Sequence, residues 1–189
     1  MAAGSRASFG RVAVALCIPH RRRNPAPLFP ASPPPRMDDL YTMPGHLIRR
    51  AQQISTALFT EECAGFDLTS VQFAALTAIK ANPDVDATRL SALIAFDRST
   101  IGDVLERLEA KGWILRSASQ GDRRVKLLRI TPAGSKLLRD VLPAVKRVQE
   151  RLLAPLAPED RVTMIRLLTG LAELHNEVTP APLRIAAQR

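Results

Sequence analysis

The sequence predicts a mainly α fold that contains one small β-hairpin. Two observations predict it: six stretches repeat apolar residues at helical spacing, and the interval 113–130 holds two short strand-like runs around a Gly121-Asp122 turn. Aromatic residues make up only 4% of the chain, which favours a core of aliphatic helix formers. Because 189 residues can build one well-buried core but are few for two, we expect one domain with short appendages.

Residues 1–36 form a basic, proline-rich segment. They hold six arginines, seven of the 15 prolines and no acidic residue, so the rest of the chain carries only 21 basic against 18 acidic residues. Because proline interrupts helices and strands, we expect this tail to be disordered, the domain to span 37–180, and 181–189 to form a flexible C-terminus. Two interpretations of the tail stay open: translation that begins at Met37, or a basic arm on DNA phosphates.

The sequence lacks the parts of an enzyme or of a membrane protein. No stretch reaches the length of about 18 apolar residues that a membrane-spanning helix needs, and Cys17 and Cys63 cannot build a disulfide framework or a metal cage. The three histidines are scattered, and there is neither a phosphate-binding glycine loop nor a nucleophile elbow. We therefore predict a cytoplasmic protein with no enzyme activity, no cofactor, no metal site and no membrane partner.

Three helices are predicted in the first half of the domain. The first begins at Pro44, which suits a first helical turn, and repeats apolar residues up to about Cys63. The Thr-Ser-Val-Gln sequence at 69–72 is a capping box for the second helix, which must end before Pro83. Asp86 is the predicted N-cap of a short third helix.

A fourth helix and a hairpin follow directly. Asp97 caps the helix, and Gly112 stops it at the position where a left-handed residue is expected. The pattern then changes to two short strand-like runs, 113–117 and 125–130, separated by the Gly121-Asp122 turn.

Two long helices close the domain. Thr131-Pro132 caps a helix over 133–153, which Pro143 should kink without necessarily ending it, and the last helix runs from Pro158 to about Glu177. These two helices and the first are apolar on more of their surface than a small monomer can bury. We therefore expect a homodimer.

The short third helix, the tight turn, the fourth helix and the hairpin have the layout of a winged helix-turn-helix. In that fold the second helix enters the major groove and the hairpin, or wing, flanks it. The motifs in chain order are Leu90-Ser91-Ala92-Leu93, Asp97-Arg98-Ser99-Thr100-Ile101, Leu105 to Ile114, Gly121-Asp122-Arg123-Arg124 and Leu128 to Gly134. Over most of residues 44–175 the chain resembles the MarR family of bacterial transcription regulators. The resemblance implies N- and C-terminal dimerisation helices around the winged domain, and a wing at about 117–126.

The start of the fourth helix carries the predicted base contacts. Short side chains opposite the apolar stripe let the helix backbone approach base edges closely. The candidates are Ser99, Thr100, Gly102 and Asp103. The alternative for the two hydroxyl residues is a role in capping the helix. Asp103 departs from the family, whose members often have a basic or neutral residue there. It must accept from cytosine N4 or pair with Arg98 or Arg107, which complete the predicted DNA contacts of this helix.

The wing carries the strongest predicted DNA contact. Asp122 and Arg124 resemble the family's acid and arginine pair, in which the acid orients an arginine that enters the minor groove. A guanidinium held by a carboxylate loses less freedom on entering a narrow, negative groove. Arg116, Arg123 and Lys126 are predicted to contact phosphates. The alternative is a solvated, charged turn.

The resemblance also implies a regulatory pocket between the dimer helices and the DNA-binding lobe, typically for small aromatic or phenolic compounds. His46, Arg50 and Gln53 share one face of the first helix and are predicted to hold a carboxylate. Phe66 and Phe73 are the predicted apolar wall. The alternative is that His46 and Arg50 are surface or dimer-interface residues.

The sequence thus predicts a ligand-released repressor that binds a pseudo-palindromic operator in duplex DNA and controls genes for aromatic-compound catabolism or efflux. Two-fold symmetry places the half-sites about 10 base pairs apart. Two alternatives stay open. One is a redox switch at Cys63, although Glu61 and Glu62 disfavour its reactive thiolate. The other is a winged-helix module that binds protein, but only polyanion binding requires the arginine-rich wing.

Overall fold

The structure is a computed structural model that describes residues 36–122, 124–179 and 181–184. The tail predicted at 1–36 lies outside these residues except for Arg36, as do Arg123 of the wing and residues 185–189. The chain divides into two units, of which the first ends at Tyr41 and the second begins at Thr42. A short helix that the sequence did not predict, α1 (Met37–Thr42), lies at this boundary, and the fold below is that of the second unit.

Helices α2 (Pro44–Glu62) and α3 (Ser70–Ala81) lie where the sequence predicts them, with a 3₁₀ turn at Ala64–Phe66 between them. The predicted capping box is present: Thr69 Oγ1 accepts from the amide of Gln72 at 3.2 Å, and Gln72 Oε1 accepts from the amide of Thr69 at 3.1 Å. The box satisfies two helix-end amides that would otherwise lack partners.

Helices α4 (Ala87–Leu93) and α5 (Arg98–Ala110) form the helix-turn-helix. Each begins at its predicted cap, because Asp86 accepts from the amide of Arg89 at 2.9 Å and Asp97 accepts from the amide of Ser99 at 2.7 Å. After α5, Gly112 has a φ of 69°, so the predicted left-handed stop is confirmed.

The predicted hairpin is confirmed, and a further strand joins it to make a three-stranded antiparallel sheet. Strand β1 (Val85–Asp86) was missed, and β2 (Ile114–Ala118) and β3 (Lys126–Ile130) each begin one residue later than expected. The strand order is β1-β3-β2, with Val85 opposite Leu128. A two-residue strand has no detectable alternation of its own, which is why the pattern did not reveal it.

Two helices complete the chain. Helix α6 (Pro132–Leu153) passes through Pro143 without ending, as expected. Helix α7 (Pro158–Leu174) ends about three residues before the predicted Glu177. The chain continues there in a 3₁₀ turn at Asn176–Val178, which a sequence pattern does not distinguish from a last turn of α-helix. Helix α2 packs mainly against α6, whereas α3, α4 and α5 pack against each other and the sheet.

The core lies between these helices and the sheet. Its fully buried large side chains come from six elements and include Leu76, Ile79, Leu90, Leu108, Ile114, Leu128, Val141 and Val148. One close backbone approach fixes the exit from the sheet into α6: a side chain at Gly134 would collide with the carbonyl oxygen of Trp113. Thr131 secures this corner, since its hydroxyl donates to Gly112 O at 2.8 Å and accepts from Gly134 N at 3.0 Å.

Candidate nucleic-acid interface

Helix α5 has one buried and one exposed face. Ile101, Leu105 and Leu108 are buried in the core. The predicted DNA contacts of this helix are all exposed, namely Arg98, Ser99, Thr100, Gly102, Asp103 and Arg107. The helix therefore presents short and charged side chains along the face that a groove would meet.

The first turn of α5 is held by its cap. Hydrogen bonds from the backbone and side chain of Ser99 hold the pKa of the Asp97 carboxyl below its usual range. The hydroxyl of Thr100 donates to the Asp97 carbonyl oxygen at 3.1 Å. Both hydroxyls therefore take part in capping, the alternative that the sequence left open, while their residues remain exposed at the helix start.

The sequence left open whether Asp103 pairs with Arg98 or with Arg107. Arg98 Nη2 donates to Thr88 Oγ1 at 2.8 Å, which ties the start of α5 to α4. Within the described ranges, no ion pair joins Asp103 to Arg98 or to Arg107. The carboxylate of Asp103 is exposed.

The wing turn is shaped by Asp122. Its Oδ1 accepts from the main-chain amide of Arg124 at 2.9 Å, and its carbonyl oxygen accepts from the amide of Val125 at 3.0 Å. We expected the carboxylate to hold the guanidinium of Arg124. It acts instead on the backbone, so it directs the exposed arginine by fixing the turn that carries it.

Arg116, which was predicted to contact a phosphate, is packed against α5 in this structure. Its Nε lies 3.0 Å from Glu109 Oε2 on α5, and its side chain is only 22% exposed. Neither Nε nor Nη2 makes a hydrogen bond with the part of the chain that the structure describes. Because alternate residues of a strand point to one face, Arg116 follows the buried Ile114 toward the helix.

The helix-turn-helix and the wing meet around one cleft of about 600 Å³. Predicted residues from both parts line it, namely Gly102, Arg116, Arg124 and Lys126. Thr88 and Arg89 of α4 line it too, and sequence reasoning missed them. Their place in the first turn after the Asp86 cap was the available signal, because first-turn residues of this helix lie beside the start of α5.

The predicted ligand residues are less closely grouped. His46 is half-buried on α2, whereas Arg50 and Gln53 are exposed. Phe66 and Phe73 pack against the core, and the ring of Phe73 lies 6.3 Å from that of Phe59. A cavity of about 1260 Å³ lies elsewhere, between α7, Ile48 of α2 and the turn before α5. The five predicted residues do not line it.

Cys63 lies in the core and is only 1% exposed. Burial raises the pKa of its thiol, and the charge of Glu62 raises it further. Thiolate formation is therefore disfavoured, which agrees with a structural role.

Helix α7 exposes a row of apolar side chains. Their exposed fractions range from 44% to 85%, and the residues are Val162, Ile165, Leu168, Leu171 and Leu174. Such a stripe on one helix is typical of a surface that another chain covers.

None of the helices in the described part of the chain is both long and apolar enough to cross a membrane. The described residues also contain no group of three or more histidine, cysteine or acidic side chains that could hold a metal ion.

The two-helix motif, the exposed face of α5 and the adjoining basic wing define a winged helix-turn-helix DNA-binding protein. Comparison with known proteins assigns it more closely. The chain belongs to the MarR family of transcription regulators, whose family model matches residues 68–126. It is accordingly a DNA-binding regulator and not an enzyme.

Similar proteins support this assignment over most of the domain. The chain is 32% identical over 135 residues to the HTH-type transcriptional repressor NicR of Pseudomonas putida, covering 71% of this chain and 85% of NicR. BpsR of Bordetella bronchiseptica, whose DNA binding is regulated by 6-hydroxynicotinic acid, is 28% identical with a TM-score of 0.67, covering 74% of this chain and 98% of BpsR. The repressor CouR, solved on a 23-mer DNA duplex, is also 28% identical with a TM-score of 0.67, covering 74% and 99%.

Proposed function

We propose that this chain is a homodimeric, ligand-released repressor that grips operator DNA with α5 and the wing, in the cytoplasm of a bacterium. Its functional domain is residues 37–180. One observation carries the proposal: Gly102 on the exposed face of α5 and the wing residues Arg124 and Lys126 line one cleft. CouR, similar over 99% of its length, is a repressor that binds duplex DNA.

The predicted contacts other than Arg116 each have a role in this complex. The start of α5 lies in the major groove, where Ser99, Thr100 and the open backbone at Gly102 approach base edges and Asp103 accepts from a cytosine amine. Arg124 enters the minor groove. The phosphate contacts come from Arg98, Arg107, Lys126 and, outside the described residues, Arg123.

A second copy covers the apolar stripe of α7. Covering it removes large aliphatic side chains from water, and α2 exposes further apolar side chains at Leu47, Ile48 and Ile54. A two-fold dimer presents two α5 helices and therefore reads a pseudo-palindrome with half-sites about 10 base pairs apart.

The DNA-binding proposal is tested by letting the full chain select duplexes from a random-sequence pool. We expect a pseudo-palindromic site. On that duplex, Arg124→Ala should weaken binding about ten-fold or more, because a charge-assisted groove contact is lost.

Lys146→Ala is the matched control, since this exposed lysine lies about 21 Å along α6 from its first residue. It should leave the affinity within about two-fold because distant surface charges are screened. A pool that yields no preferred sequence, or equal losses in both variants, contradicts the proposal.

Release by an aromatic acid is the regulatory part of the proposal. BpsR, similar over 98% of its length, is regulated by 6-hydroxynicotinic acid, and this chain carries a cationic, hydrogen-bonding face on α2 at His46, Arg50 and Gln53. A carboxylate held there would lie on a helix of the dimer and thereby bias the separation of the two α5 helices. The enclosed, pKa-raised thiol of Cys63 disfavours the redox alternative.

This part is tested by thermal shift with 6-hydroxynicotinic acid and hydroxylated benzoic acids, with and without the selected duplex. An effector should raise the Tm of the free protein and lower its DNA affinity, because the two linked equilibria oppose each other. Arg50→Ala should abolish both effects and Arg49→Ala, its exposed neighbour on another helix face, should keep them. Equal responses of the two variants would refute the assignment of Arg50.

A further inference from the structure

The chain turns back on itself after α7. We call residues 176–179 and 181–184 the C-terminal clasp. Asn176 pairs with both main-chain groups of Leu183: its Oδ1 accepts from the amide at 2.8 Å, and its Nδ2 donates to the carbonyl oxygen at 3.1 Å. The side-chain amide therefore holds the returning segment as a neighbouring strand would.

An ion pair closes the clasp a second time. Arg184 donates from Nη1 to Glu177 Oε1 at 2.8 Å and from Nη2 to Glu177 Oε2 at 2.7 Å. Such a two-point contact fixes orientation as well as distance, unlike a single exposed pair. The sequence placed 181–189 in a flexible C-terminus and gave no sign of these contacts.

The clasp is attached to the helix-turn-helix. The amide of Arg184 donates to the carbonyl oxygen of Ala92 at 2.8 Å. That carbonyl lies in the last turn of α4, and the amide of Phe96, which would ordinarily reach it, donates instead to Ser91 O at 2.9 Å. The clasp therefore supplies a partner for a helix-end carbonyl.

This attachment lies next to the start of α5. The turn after α4 contains Ala95 in a left-handed conformation with a φ of 48°, and Asp97 then caps α5. Ala95, Asp97 and the clasp residue Leu183 all line the cavity of about 1260 Å³ described above. The opposite wall of that cavity is α7, so the clasp bridges from α7 to the turn that sets the direction of α5.

We propose that Asn176, Glu177 and Arg184 are positioning residues for operator binding. The clasp fixes the turn between α4 and α5 relative to α7, and so sets the separation of the two α5 helices in the dimer. The inference rests on the proposed function, in which α7 forms the dimer and α5 binds the operator. Holding α5 in advance reduces the freedom that it loses on binding DNA.

The test is a charge exchange across the ion pair in the full chain, on the duplex selected above. Glu177→Arg and Arg184→Glu change the net charge in opposite directions, so a general electrostatic effect would move their affinities apart. The clasp predicts that both weaken binding by at least about five-fold, as expected for a coupling between two sites. The double variant should return to within about two-fold of the parent affinity.

Two further measurements separate positioning from simple stabilisation. Inserting one base pair between the half-sites should reduce the affinity of the single variants less than that of the parent, because α5 is held less firmly in the variants. Amide hydrogen exchange at Ala92 to Asp97 should accelerate in the single variants and recover in the double variant. If a charge variant fails to fold, Asn176→Ala, which removes the side-chain hydrogen bonds to Leu183 and Glu177 without adding a charge, should give the same relaxed spacing preference.

The clasp is refuted if both single variants bind like the parent, if their affinities change in opposite directions, or if the double variant does not recover. These outcomes can be distinguished from a failure of the proposed function itself. If the proposed function were wrong, the parent chain would select no duplex and Arg124→Ala would not change DNA binding.

Discussion

Neighbouring basic side chains on one hairpin have different environments. Arg116 points toward α5 and has two guanidinium nitrogens buried without hydrogen bonds, whereas Lys126 stands exposed at the start of β3. Charge alone made both look like phosphate contacts. The register places both side chains on the same face of the sheet, but Lys126 lies nearer the wing turn, whereas Arg116 lies beside Glu109 of α5.

This difference predicts opposite outcomes for two matched variants. Lys126→Met should reduce the slope of log affinity against log salt by about 1, because one phosphate contact is lost. Arg116→Met should leave that slope unchanged, because this guanidinium is packed against Glu109, and it should lower stability by no more than about 1 kcal/mol, because it removes a partly exposed ion pair.

DNA binding measured across salt concentrations, together with the thermal unfolding of both variants, decides the matter. If Arg116→Met lowered the salt slope as much as Lys126→Met, the guanidinium would have to turn outward on DNA, contrary to its packing against α5.

At the scale of elements, each helix that begins at a side-chain cap was predicted from that cap. Thr69, Asp86, Asp97 and Thr131 each form the predicted hydrogen bond to an amide in the first turn. A cap is a local interaction, so its signal lies within four residues of the chain.

The elements that were missed depend on distant partners. Strand β1 exists because Val85 pairs with Leu128, and the clasp exists because Arg184 reaches Ala92. No periodicity encodes such contacts, because each involves one or two residues. The site residues differ in the same way. Helical spacing in the sequence predicted the exposed face of α5, but only the packed structure shows that Arg116 points toward α5.

The corner between the sheet and α6 gives an element-scale prediction. Gly134→Ala should lower the free energy of unfolding by about 1–3 kcal/mol, because the added methyl group meets the carbonyl oxygen of Trp113. Gly102→Ala is the control, since nothing lies within 4 Å of a side chain there. It should stabilise α5 by about 0.5–1 kcal/mol.

Denaturant unfolding of the two variants without DNA measures both effects. A Gly134→Ala protein as stable as its parent would show that the first turn of α6 can move away from Trp113 at little cost.

At the scale of the whole molecule, the apolar stripe of α7 is a surface that a single chain leaves in contact with water. Leu168→Asp should therefore convert the dimer to monomer at micromolar concentration, because a charge would be buried without a partner. Operator affinity should fall with it, since each half-site would be held alone.

Leu115→Asp is the control, because this leucine of β2 is 63% exposed and lies outside the dimer helices. Sedimentation velocity should find it dimeric. A Leu168→Asp protein that also remains dimeric would place the interface elsewhere.

The central place of β3 in the sheet has a mechanical consequence. This strand carries the wing at one end and pairs with β1, which leads directly into α4, and Arg129 of β3 forms a two-point ion pair with Asp84 beside β1. The wing and the two helices are thereby mechanically coupled through β3. Under the proposed function, we therefore expect an effector to move the wing and α5 together and to weaken the major-groove and minor-groove contacts at the same time.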